Sequence, residues 1–237
     1  MRVGSIRWVF LLFILIVLQT SALLGRSSGG QGSAQSSSAS KSSSANTRKN
    51  ARPADAGVDA GAVANDVYRN KTFGLSCKIP EGWVLRTEEM NAREDDSRPA
   101  AESATRVVGL PEGGRVLLAA FSRPPEAKGE DVNASILIAA ESAAMYPGLK
   151  EAAQYFEPLI EVTKAQGFTL DEDPYDVAVG TATLVRGDFH KDVGSRVMRQ
   201  STLVLLNHGY AVSITLIGGT DDEVEDLVDG LSFVGRK

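Results

Sequence analysis

One cysteine and two histidines are all that this chain of 237 residues holds of the side chains most used in metal centres and covalent catalysis. The single cysteine, Cys77, excludes an intrachain disulfide, so packing must hold the fold together. The P-loop, the dinucleotide fingerprint, the nucleophile elbow and the zinc-binding His-Glu-x-x-His are all absent. No internal repeat is visible. A basic surplus is missing as well. Up to residue 65 there are 7 Lys/Arg and 2 Asp/Glu; beyond it there are 18 and 28, a net of −10. An acidic folded part argues against nucleic acid as partner, because neutralising phosphates requires a basic face.

What is present falls into three blocks. Arg2 and Arg7 precede an apolar run, Trp8 to Leu18, that continues past Gln19-Thr20-Ser21 to Leu24. A basic start, an apolar core and the small residues Thr20 and Ala22 make residues 1–25 a secretory signal. The same segment can be read as an uncleaved transmembrane anchor. Trp8 to Gly25 is 18 residues, about 27 Å of helix, against a hydrocarbon core of about 30 Å. Arg2 and Arg7 would keep the N-terminus cytoplasmic, so both readings put the remainder outside the cytoplasmic membrane, periplasmic or secreted. Membrane contact is expected only through residues 8–24, and only if they are uncleaved. The sequence argues against a bacterial lipid anchor, because the apolar run does not end in a cysteine.

Residues 26–65 carry the serine runs 36–38 and 42–44, Gly29-Gly30 and an Ala/Gly/Asp segment, without aromatics. Nothing there offsets the entropy of ordering, so a disordered linker reaching about 35 Å is expected. Residues 66–237 suffice for one well-sized core. In that block Leu75, Cys77 and Ile79 alternate with polar positions and predict a strand that buries the thiol. Val67 to Lys71 is its partner, and Trp83 to Arg86 is extended. Glu88 to Ser103 reads as a loop or loosely held helix. Arg106 to Leu110 and Arg115 to Ser122 flank Glu112-Gly113-Gly114 as a hairpin. Ser135 to Ala144 favours a strand. A long helix is expected over 147–166, kinked or divided at Pro158. Four strands follow, over 175–179, 181–191, 195–206 and 210–217. Thr220 with Glu223 opens a last helix over 221–229. The fold class is therefore α+β, an antiparallel sheet covered by helices.

The opening Asn70-x-x-Phe73-Gly74-Leu75-Ser76-x-x-Ile79-Pro80-x-Gly82-Trp83, the hairpin, the single long helix, the meander and the terminal Thr-Asp-Asp-Glu helix together resemble the PsbP-like domains. That superfamily shares an α/β/α sandwich with a Ran-binding nuclear import factor, and the resemblance covers about residues 66–235. It implies a non-enzymatic module that docks on other proteins, as an extrinsic subunit or an assembly factor of a membrane complex does. No functional residue carries over.

The residues themselves assign no catalytic, cofactor-binding or metal-ligating position and no cofactor. His190 and His208 lie at opposite ends of one expected strand, about 30 to 40 Å apart, too far to share a metal. The acidic triplets 94–96, 171–173 and 221–223 lack calcium-loop spacing; the third suits a helix cap and the others solvated loops. Lys191, Arg196 and Arg199 form a small basic spot at a hairpin end, and Trp83 reads as a core aromatic beside Ile79. The expected function is an exported protein-interaction domain, an accessory or assembly factor tethered at the envelope, whose partner is another envelope or membrane protein. The alternative is a small-molecule or lipid carrier with a cleft between sheet and helix. A hydrolase built from unremarkable Ser, Asp and His positions is a third reading.

Overall fold

The computed structural model describes residues 58–95, 114–127, 129 and 131–234. In chain order the elements begin with β1 (Ala62–Ala64), β2 (Val67–Asn70), β3 (Leu75–Lys78), β4 (Val84–Leu85), α1 (Thr87–Asp95) and β5 (Gly114–Phe121). They continue with β6 (Ser135–Ser142), 3-10 turns at Ala143–Met145 and Ala152–Tyr155, α2 (Phe156–Ala165), β7 (Thr169–Leu170), β8 (Tyr175–Val179) and β9 (Ala182–Val193). The last are β10 (Arg196–Asn207), β11 (Tyr210–Gly218), α3 (Asp221–Asp229) and β12 (Leu231–Phe233). Two antiparallel sheets result. The small one runs β1-β2-β3-β12; the large one runs β4-β5-β6-β11-β10-β9-β7, with β8 also on β9. This is a mixed α+β fold with flanking helices.

Side-chain alternation sends β10 and β11 residues to two different interiors. Leu203, Leu205, Val212, Ile214 and Leu216 face the small sheet and α3, where they meet Tyr68, Leu75, Cys77, Phe233, Val224 and Leu227. Val204 and Ala211 face the helical layer and meet Tyr155, Phe156 and Leu159. Consecutive apolar residues in 203–206 thus have both faces covered. α3 begins where the Thr220 hydroxyl accepts from the Glu223 amide at 3.1 Å. The Glu223 carboxylate reaches back to the Gly219 amide at 2.7 Å, one residue short of a standard capping box.

The outer edge of β5 is closed by side chains. Asn91 on α1 accepts from the Val116 amide at 3.1 Å and donates to its carbonyl at 3.0 Å, as a neighbouring strand would. Thr87 Oγ1 accepts from the Ala119 amide at 2.9 Å.

Several expectations change. The folded part starts before residue 66: β1 pairs with β2 through an Asn65-Asp66 turn with both φ values positive. Asn70 donates to the Asp59 carbonyl at 2.6 Å, and Tyr68 to the Ala60 carbonyl at 3.0 Å. Residues 58–64 therefore belong to the fold and not to the linker. The long helix over 147–166 is shorter than expected. Gly148 at φ 98° blocks helix there, and Pro158 sits in the first turn of α2, where it needs no amide partner. The transmembrane reading is also corrected: among the described residues no helix is long and apolar enough to cross a membrane. The export segment 1–25, most of the linker and the strand expected over 106–110 lie outside the described residues.

Candidate functional site

The face of the large sheet beneath the helical layer carries small and polar residues at its inward positions. Ala139 and Glu141 on β6, Ala211, Ser213 and Thr215 on β11, and Gln200 and Thr202 on β10 are all buried. Small side chains let the helical layer sit close. An ideal Cβ on Gly187 of β9 would stand 2.6 Å from the Phe156 ring. Thr202 and Thr215 hydroxyls meet at 3.3 Å, and the Gln200 amide donates to Thr202 at 3.3 Å.

One end of this face gathers charge. Glu141, opposite Ala211 near the end of β6, is 0% exposed. Tyr146, just past the first 3-10 turn, donates its hydroxyl to Glu141 Oε2. Tyr155 is the last residue of the second 3-10 turn, and its ring meets that of Tyr146 edge-to-face at 5.7 Å. Burial first, and then the Glu141 charge, push both phenols far above the usual tyrosine range. Ser213 and Glu141 are close enough to Tyr155 to shift its ionisation in opposite directions. Tyr155 Oη and Ser213 Oγ are both buried, and the Tyr155 hydroxyl shares its hydrogen-bonding contacts with Ser213 and Glu141. Above them lies an open groove of about 480 Å³, walled by Tyr146, Pro147, Leu149, Tyr155, Glu157 and Pro158. This set was missed in the sequence. Its signal was a glutamate on an inward position of a strand otherwise filled by Ser135, Leu137 and Ala139.

A second groove, of about 490 Å³, opens between the β1–β2 hairpin and β4, α1 and β5, with exposed Val63 and Leu85 on its lips. A third, of about 600 Å³, lies beside Arg196, Arg199 and Asp221.

The residues singled out from sequence fall as follows. Cys77 is fully buried, and burial pushes its thiol up to about 12. Trp83 is half-buried and packs on the larger core. His190 contacts Asp171 and stands opposite Arg199 in β10. His208 sits in the β10–β11 turn at φ 51°, so the two histidines are not brought together. The basic spot is tied to carboxylates. Arg196 pairs with Asp131 at 2.6 Å, and Arg199 pairs with Asp221 at 3.2 Å and Asp171 at 3.9 Å. Asp171 and Asp221 are therefore ion-pair partners as well as loop and cap residues. The described part of the chain holds no cluster of three or more His, Cys, Asp or Glu placed to bind a metal. The triplet 94–96 falls outside the described side chains. A separate network ties α3 to β9: Arg186, 7% exposed, bonds Asp188 at 3.0 Å and Glu225 at 3.1 Å. Tyr175 donates to Asp188 at 2.8 Å.

No family model matches the chain, and no curated protein does. Among solved structures it is similar to a protein of unknown function from Pseudomonas aeruginosa, at 18% identity over 47% of this chain and 79% of that one, TM-score 0.34. It is also similar to LpqN of Mycobacterium tuberculosis, involved in cell envelope biogenesis, at 15% identity over 68% and 83%, TM-score 0.36. A Bacteroides thetaiotaomicron protein matches at 12% identity over 69% and 46%, TM-score 0.31.

Proposed function

We propose that this chain is an exported, non-enzymatic domain that binds another protein of the cell envelope, in the manner the PsbP-like resemblance implies. The observation that carries the reading is the way the interior is filled. Both faces of the large sheet are packed by the chain's own residues, one by the small sheet and α3, the other by the helical layer. The grooves at Tyr146, Val63 and Arg199 open to solvent at the surface, where a partner can lie across them. Export rests on Arg2, Arg7 and the apolar run that follows.

The test is capture of a cross-linked partner from intact cells, followed by identification of the captured protein. A single partner recovered reproducibly with the wild-type chain supports the reading; recovery of none sinks it. The carrier reading is favoured by one observation, the exposed Val63 and Leu85 at the lips of the second groove. Native mass spectrometry decides it: a co-purifying small molecule released by Leu85→Asp supports carriage, and a bare chain removes it.

A further inference from the structure

We infer that the outer edge of β8 takes an extended, basic segment of the partner, added to the large sheet as a further strand. The inference rests on the docking reading and gives it a site. The hairpin register fixes which backbone groups face outward. Val179 and Ala182 flank the two-residue Gly180-Thr181 turn and so exchange both ladder bonds, as do Val177 with Leu184 and Tyr175 with Arg186. The amides and carbonyls of Asp176 and Ala178 therefore point away from β9, and no described residue bonds them. Both residues are exposed. Four free groups at this spacing match one edge of an added strand. Two other edges are closed. Asn91 and Thr87 fill that of β5, and Thr181 donates to the Phe233 carbonyl of β12 at 3.1 Å.

Charge decides what kind of strand fits. Glu172 and Asp173 lead into β8 and Asp176 lies on it, all three exposed. The cations nearby are engaged elsewhere: Arg186 with Asp188 and Glu225, His190 and Arg199 with Asp171. A second copy offering the same edge would bring like charges together, which opposes self-pairing. Lysine or arginine on the incoming strand neutralises them, and the net charge of −10 beyond residue 65 favours its approach. Alternation sets the rest of the pattern. Side chains of the added strand on the Asp176 and Ala178 face are basic. Those on the other face are apolar, because they meet Tyr175, 37% exposed, and half-buried Val177.

The experiment titrates the full chain with the blocked heptapeptide acetyl-Thr-Lys-Val-Lys-Val-Lys-Thr-amide by calorimetry, with amide hydrogen exchange as a second readout. Saturable binding is expected, with slower exchange at the Asp176 and Ala178 amides. Neither the peptide with glutamate for each lysine nor the one methylated on the lysine backbone nitrogens should bind. Binding of either as tightly as the parent overturns the inference. Ala178→Pro removes one outward amide and leaves the bonds to β9 in place, so it should weaken the peptide about tenfold. Asp176→Lys should weaken it about fivefold and reduce its salt dependence, and it decides the matter if the proline variant fails to fold. A wild-type chain that does not bind the peptide, or variants that bind it as the wild type does, overturn the inference. Partner capture separates the two readings: capture undiminished by Asp176→Lys leaves docking standing and removes this edge. A wild-type chain that captures nothing removes docking, while the titration still judges the edge.

Discussion

The two faces of the large sheet use the same backbone to different ends. Toward the small sheet and α3 the inward positions are Leu, Ile and Val, interlocked with aromatics from β2, β12 and the β2–β3 turn. Toward the helices Val116, Leu137, Val185 and Val204 are mixed with Ala, Ser, Thr, Gln and Glu, and much of the bulk comes from Tyr155 and Phe156 above. The first arrangement buries the most apolar area and should dominate stability. The second brings polar atoms inside, where each must be paired or cost energy. A dry face can be generic. A face with polar atoms inside must be specified atom by atom.

That contrast can be broken most sharply on the dry side. Leu203→Ala, at a fully buried position facing the small sheet, should lower stability by about 3 kcal/mol in urea denaturation. A loss below about 1 kcal/mol would mean that face is not the main source of stability. Removing residues 58–65 should cost about 2 kcal/mol, because the Asn70 amide and Tyr68 hydroxyl lose their carbonyl acceptors. A chain starting at 66 that melts like one starting at 58 would return that segment to the linker. On the polar side, Gly187→Ala should cost about 2 kcal/mol by driving a methyl group into Phe156. If Phe156→Leu rescues it, the close approach of the helical layer is confirmed as the cause. Thr220→Ala removes the α3 cap and should cost about 1 kcal/mol. The smallest effect is expected from Thr215→Val, about 0.5 kcal/mol, because Thr202 keeps the Gln200 amide.

Legibility in the sequence followed the range of the forces involved. α3 matches its expected bounds because its cap, acidic first turn and apolar stripe all lie within ten residues. β9, β10 and β11 were readable from alternation and their glycine turns. β1 and β12 were not: β1 is three residues of Ala and Val inside an Ala/Gly segment, and β12 owes its existence to β3, brought from far along the chain. The helix over 147–166 was half readable: its apolar spacing was real, but the Gly148 conformation is a tertiary fact. The candidate site was the least visible part. Glu141, Tyr146, Tyr155 and Ser213 come from two strands and two short turns, and only the fold puts them side by side.

The side-chain clasp on β5 has a consequence for how this protein behaves in a crowded solution. The Val116 amide and carbonyl held by Asn91 are the groups that a strand from another copy would seize. While Asn91 occupies them the sheet cannot grow in that direction. Asn91→Ala would leave the folded chain almost intact and still offer a template for edge-to-edge growth, so its harm would show with concentration and time as fibres.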